Sequence, residues 1–174
     1  MNEGLASLLR PLVVLAAPVW VLLLRYGVAD LGAVSGIAPD VAVIAAVAAA
    51  WTRRPLGAVL FAALLGASLD LASTTPWGLG AIRYSILATV VCGIRRVGDF
   101  DIPGMSVFLV LLFALAERGA AGAIVGLRLR LPLGPLLWHA AGIALFSALI
   151  APLGFMAARA LAPETTIDEP WGRR

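Results

Sequence analysis

A chain of 174 residues that is 61% hydrophobic and only 13% charged, with a mean hydropathy of +0.99, does not fit a water-soluble domain. Such domains are nearer half apolar and a quarter charged, and a chain this short cannot hide so much apolar surface, so an all-α integral membrane protein is expected. The net charge of +3 comes from thirteen arginines and no lysine, set as doublets between apolar runs rather than in one patch, which is a topology signal and not a nucleic-acid signal.

Six apolar segments follow in chain order, at about 9–27, 36–52, 56–74, 78–97, 104–127 and 135–161. Most reach the ~20 residues that cross ~30 Å of hydrocarbon at 1.5 Å per residue. The first has Arg10 before an apolar core and a "GVA" at 27–29, as a signal peptide would, but it reads as a retained first span in a polytopic chain. The second is the weakest, with Pro39-Asp40 near its start. Short connections predict antiparallel neighbours in one bundle, so residues 1–162 form a six-span domain. The polar, proline-containing stretch at 163–174 is expected to be a flexible tail.

Six spans place Arg10, Arg53-Arg54, Arg95-Arg96, Arg159 and Arg173-Arg174 on one side. The positive-inside bias makes that side the cytoplasm, with both termini there and Arg128 and Arg130 as exceptions. The doublets Arg53, Arg54, Arg95 and Arg96 then read as anchors touching anionic lipid, or as contacts with a cytoplasmic partner. Trp51, Trp77 and Trp138 lie at segment ends, as interfacial aromatic belts require. Gly122 with Gly126, Ala45 with Ala49, and Ala62 with Gly66 have the small-xxx-small spacing that lets helix backbones approach closely. Cys92, the one cysteine, allows no intrachain disulfide and reads as a buried, inert thiol.

Charges inside the apolar runs carry the most information. An aspartate at a span centre costs about 2.5–3.5 kcal/mol, which the leucines and phenylalanine around Asp70 offset on the same scale. Insertion energetics therefore permit Asp70 without explaining it. The topology puts Asp40, Asp70, Arg83 and His139 in the outer half of the bilayer. Intramembrane ionisable groups usually pair inside the bundle, so an Asp70–Arg83 ion pair across the intervening turn is expected, with Asp40 as a second acceptor. Two readings stand side by side: a structural clamp, and a polar pocket opening outward. Glu117 and Arg118 are adjacent in the fifth segment and point about 100° apart on a helix, so they cannot both face one neighbour; a structural pairing across the bundle is expected. His139 is a lone histidine, which argues for an interfacial hydrogen bond rather than a metal ligand.

No metalloprotease, hydrolase-triad, Walker or dinucleotide motif occurs, so neither an enzyme nor a cofactor is expected. One ordered series does occur. Pro39-Asp40 opens a segment and Arg54-Pro55-Leu56-Gly57 opens the next; Gly66 and Asp70 follow four apart, then Thr75-Pro76 and Gly78-Leu79-Gly80. Over residues 36–97 this series resembles the MreD family of bacterial rod shape-determining membrane proteins, with Gly80-Ala81 where members often carry an asparagine. The resemblance implies a non-catalytic, multi-pass protein of the bacterial inner membrane. It implies MreC as direct partner, and through it MreB, RodA and a penicillin-binding transpeptidase in lateral peptidoglycan synthesis. It also implies a six-helix bundle similar to the substrate-binding S-components of energy-coupling-factor transporters.

Overall fold

A computed structural model describes Val21 and residues 37–72, 78–97 and 104–161 of the chain. These residues are helical: α1 is Val41–Thr52, α2 Pro55–Leu71, α3 Leu79–Val97, α4 Met105–Leu129 and α5 Leu133–Leu161. They correspond to the second to sixth apolar segments, with shifted ends. The second segment yields a helix only from Val41, and the third stops at Leu71 rather than 74. The fifth runs on to Leu129, and the sixth starts at Leu133. The first segment lies outside the described residues apart from Val21, a helical residue buried in the core. Also outside them are Trp77, the Thr75-Pro76 pair and the tail at 163–174.

Local signals set the ends. Pro55 occupies the first turn of α2, where its missing N–H costs nothing. Gly78 precedes α3 with φ +87°, a conformation that favours glycine, and its carbonyl accepts the Ile82 N–H. Nothing in the structure explains Gly57, whose Cα faces open space.

The shortest helix holds the centre. α1 spans about 18 Å at 1.5 Å per residue, yet it contacts each of the other four described helices. Nine of its twelve residues are buried. The alanine run that makes this the weakest span by sequence is what lets four neighbours pack around one thin rod. On the α5 side, Ile37 and Ile44 insert over Gly142 and Gly154. The Cys92 thiol donates to the Ala50 carbonyl at 3.7 Å, and the Arg95 guanidinium donates to the Arg53 carbonyl at 3.2 Å. The C-terminal ends of α1 and α3 therefore share one end of the bundle, where all four doublet arginines gather. There the Arg53 guanidinium stacks 5.0 Å above the Phe61 ring, and burial lowers its pKa below the ordinary arginine value.

The outer faces are apolar, and the inner faces combine small and polar residues with larger ones such as Leu65, Val43 and Val110. α5 buries Ala140, Ala144, Ser147 and Ala151 while Leu145, Leu149, Leu153 and Met156 point outward, Leu149 at 77% exposure. α2 and α3 repeat the pattern with Leu56, Leu60, Leu64, Ile82 and Ile86 outside. Hydroxyls on these helices bond back to the carbonyl one turn earlier, as Thr52, Ser68, Ser85, Thr89 and Ser147 all do. Water is a poor solvent for such a surface. Met105–Leu129 and Leu133–Ala160 are long and apolar enough to cross a membrane.

The tightest approach joins α2 to α3. A Cβ on Gly66 would overlap the Gly80 backbone, and a Cβ on Gly80 would lie 2.7 Å from the Gly66 carbonyl oxygen and against the Asp70 carboxylate. Gly66 thus serves packing within the chain, as do Gly122 and Gly126, which seat Leu136 and Leu133 of α5 on α4. Gly66→Ala is expected to destabilise the protein by about 1–3 kcal/mol, read as a lowered unfolding midpoint in detergent, whereas Gly57→Ala is expected to leave the midpoint unchanged or slightly raised.

Candidate functional site

Polar side chains from four helices meet in one layer inside the bundle. Asp40 is 2% exposed and caps α1, where its Oδ1 accepts the Val43 N–H at 3.4 Å. Its own N–H donates to Ser147 Oγ at 2.7 Å, and the Ser147 hydroxyl donates in turn to the Ile143 carbonyl. Arg118 reaches across from α4 and donates to Asp40 Oδ2 through Nε at 2.7 Å and through Nη2 in a still shorter contact. The carboxylate thus receives a backbone donor and a guanidinium fork, the combination a buried charge needs.

The level of this site matters. Ser147 is the central residue of α5, and Arg118 lies near the middle of α4, so α1 begins at mid-bundle rather than at an end. Residues 38–40 are non-helical there, with Asp40 buried and its neighbours half-buried. In hydrocarbon, irregular backbone persists only where protein or a cavity surrounds it. Asp40, Ser147 and Arg118 provide that surrounding: the carboxylate accepts the Val43 N–H, Ser147 accepts the Asp40 N–H, and Arg118 balances the charge.

The expected Asp70–Arg83 pair is replaced by two other arrangements. Asp70, 3% exposed near the end of α2, accepts the Gly80 N–H with both oxygens at 2.9 Å and the Ala81 N–H at 3.4 Å. One helix thereby supplies the N-terminal cap of another, and a carboxylate is well placed at the positive end of the α3 dipole. Gly80 has to be glycine for the carboxylate to come this close. Arg83 turns to Glu117 of α4 instead, at 3.9 Å, and Asp40 is the acceptor of Arg118 rather than of Arg83. Glu117 and Arg118 do reach different neighbours, as their angular separation on a helix requires.

Asp40, Arg83, Glu117 and Arg118 together make a charge-balanced layer, with the Asp70–Gly80 clamp about a turn from it along α3. Pro39 delivers the chain to this layer and Gly78 leads into α3 near it, whereas Pro55 begins α2 at the opposite end of the bundle, beside the arginine doublets. Sequence reasoning missed Ser147 and Tyr84. Ser147 could have been found, because it is the single hydroxyl-bearing residue of 133–161. Tyr84 is buried behind Arg83 and had no signal beyond its neighbour. His139 lies on the exposed surface, beside an 81% exposed Trp138. No group of three or more potential metal ligands occurs among the described residues.

A cleft of about 240 Å³ lies between α3 and α4, lined by Arg83, Tyr84, Leu87, Val90, Phe113 and Glu117 among others. Neither Asp40 nor Asp70 lines it. The two aspartates hold helices together, whereas Arg83 and Glu117 hold them together at the edge of an opening.

Arg118→Ala is expected to cost about 3 kcal/mol or more, because it strands a buried carboxylate. A double-mutant cycle with Asp40→Asn should return a coupling above about 1 kcal/mol, while a cycle between Asp70 and Arg83 should be additive within about 0.5 kcal/mol. Unfolding in detergent measures both. Comparison of the chain with protein-family models, with curated proteins and with solved structures gives no match.

Proposed function

We propose that the chain is a six-span protein of the bacterial inner membrane with both termini in the cytoplasm. It acts there as a non-catalytic scaffold of the cell-elongation machinery, as its resemblance to the MreD family implies. It binds MreC, and through MreC it ties the MreB filament to RodA and its penicillin-binding transpeptidase, so that lateral peptidoglycan synthesis follows the rod.

The observation that carries this reading is the ordered series from Pro39 to Gly80. The structure gives a physical reason for several members of the series. Asp40 caps the central helix and Asp70 caps α3, and Gly66 and Gly80 allow the crossing that brings Asp70 there. A motif whose members build a frame, with no activated nucleophile or acid–base pair among them, suits a protein that positions others. The outward apolar faces and the arginines gathered at one end support the membrane placement and orientation. A small-molecule-binding role of the S-component type is the second reading. It has less support, since both aspartates direct their oxygens to Arg118 and to backbone N–H groups.

Affinity purification of the solubilised chain from cells is expected to bring down MreC, and depletion is expected to turn rods into wide or round cells. Normal width after depletion would overturn the scaffold reading. A ligand whose stabilisation of the protein depends on Asp70 would favour the second.

A further inference from the structure

α3 and α4 follow one another in the chain, yet they are not among the extensively packed helix pairs. α3 packs chiefly on α2, and α4 on α5. The cleft of about 240 Å³ occupies the space between them, and the long Arg83–Glu117 contact spans its polar edge. Below that edge the walls are Ile86, Leu87 and Val90 from α3 and Phe113 and Ala116 from α4. Ile86 and Val90 are exposed, so the cleft opens on the apolar outer face of the bundle.

The two charges at the edge differ in availability. The Glu117 side chain is 19% exposed and sits against the interior layer, whereas the Arg83 side chain is 44% exposed. At 3.9 Å from Glu117, Arg83 keeps donors for another acceptor, and guanidinium is the side chain best shaped to take two oxygens of one acidic group. Arg83 also lies one turn inside the start of α3. Tyr84 lies beside it on the lining, and the Asp40–Arg118 pair closes the far side of α4.

We propose that this cleft is a binding site for an anionic phospholipid, with one acyl chain between α3 and α4 and the phosphate on Arg83. The charge complementarity at the edge and the apolar walls below it match the two ends of such a molecule, and Arg83 is the one cationic group among the described residues that line the cleft. The inference does not depend on the scaffold reading. It concerns what fills a gap between two of the described helices.

The test uses the full chain in bilayer discs made of equal parts phosphatidylglycerol and phosphatidylcholine with the same acyl chains. A benzophenone side chain introduced at Ile86 reports which lipid lies in the cleft by photo-crosslinking. Phosphatidylglycerol is expected to dominate the crosslinked product. Arg83→Gln is expected to reduce that preference about tenfold, the equivalent of one charge-assisted hydrogen bond. Ala116→Trp, which fills the cleft, is expected to abolish crosslinking of both lipids; if that variant loses its helical circular dichroism, Val90→Trp fills the opposite wall. Equal crosslinking of the two lipids, or a preference that survives Arg83→Gln, would overturn the proposal. Crosslinking that survives the filled cleft would overturn it as well.

Discussion

Arg118 donating to Asp40 is the contact on which the rest of the bundle depends. Asp40 begins α1, and α1 is the one described helix that contacts all the others. Because α1 starts at mid-bundle, its first N–H groups would otherwise point into an apolar interior, where each unsatisfied donor costs several kcal/mol. The carboxylate answers one of them, the Val43 N–H, and thereby brings a negative charge inside. That charge in turn requires a cation from α4, while Ser147 of α5 accepts the Asp40 backbone N–H. Three helices are joined because one short helix is capped inside the bundle.

The second aspartate solves the same problem at a different place. Asp70 answers the N-terminal donors of α3 from the preceding helix, and the crossing that allows it requires two glycines in van der Waals contact. Both acidic residues thus act through helix N-termini, and each fixes a relationship between elements rather than presenting chemistry to a substrate. The Arg83–Glu117 contact is looser, more exposed, and set at the edge of a cleft. Rigid clamps inside and an adaptable pair at the margin are a reasonable division of labour for a protein that holds a shape while contacting lipid or partners.

The bundle also inverts the usual placement of apolar residues on α5. Large side chains such as Leu149 and Leu153 face outward, while Ala140, Ala144, Ser147 and Ala151 face the neighbouring helices. Small residues permit close approach and hydrogen bonds between helices, the sources of cohesion that a lipid setting favours. The alanine-rich helix is therefore central because it is featureless.

Much of this was legible in the residues alone. Apolar runs located the five described helices to within a few residues, since spanning lengths and proline or glycine punctuation act locally. The identity of Asp40, Asp70, Arg83, Glu117 and Arg118 as the residues to watch also followed from the sequence, because a charge in an apolar run is costly wherever it lies. Their partners did not follow. Nearness along the chain suggested Asp70 with Arg83, but a helix N-terminus offers a carboxylate several aligned donors at close range, and Gly80 places them nearer than Arg83. Asp40 and Arg118 are 78 positions apart, and only the packing of α1 against α4 brings them together. The sequence determined which groups must be satisfied inside the bundle, because that cost is a property of each group. The tertiary structure decided which group satisfies which, because that depends on the depth at which each helix begins.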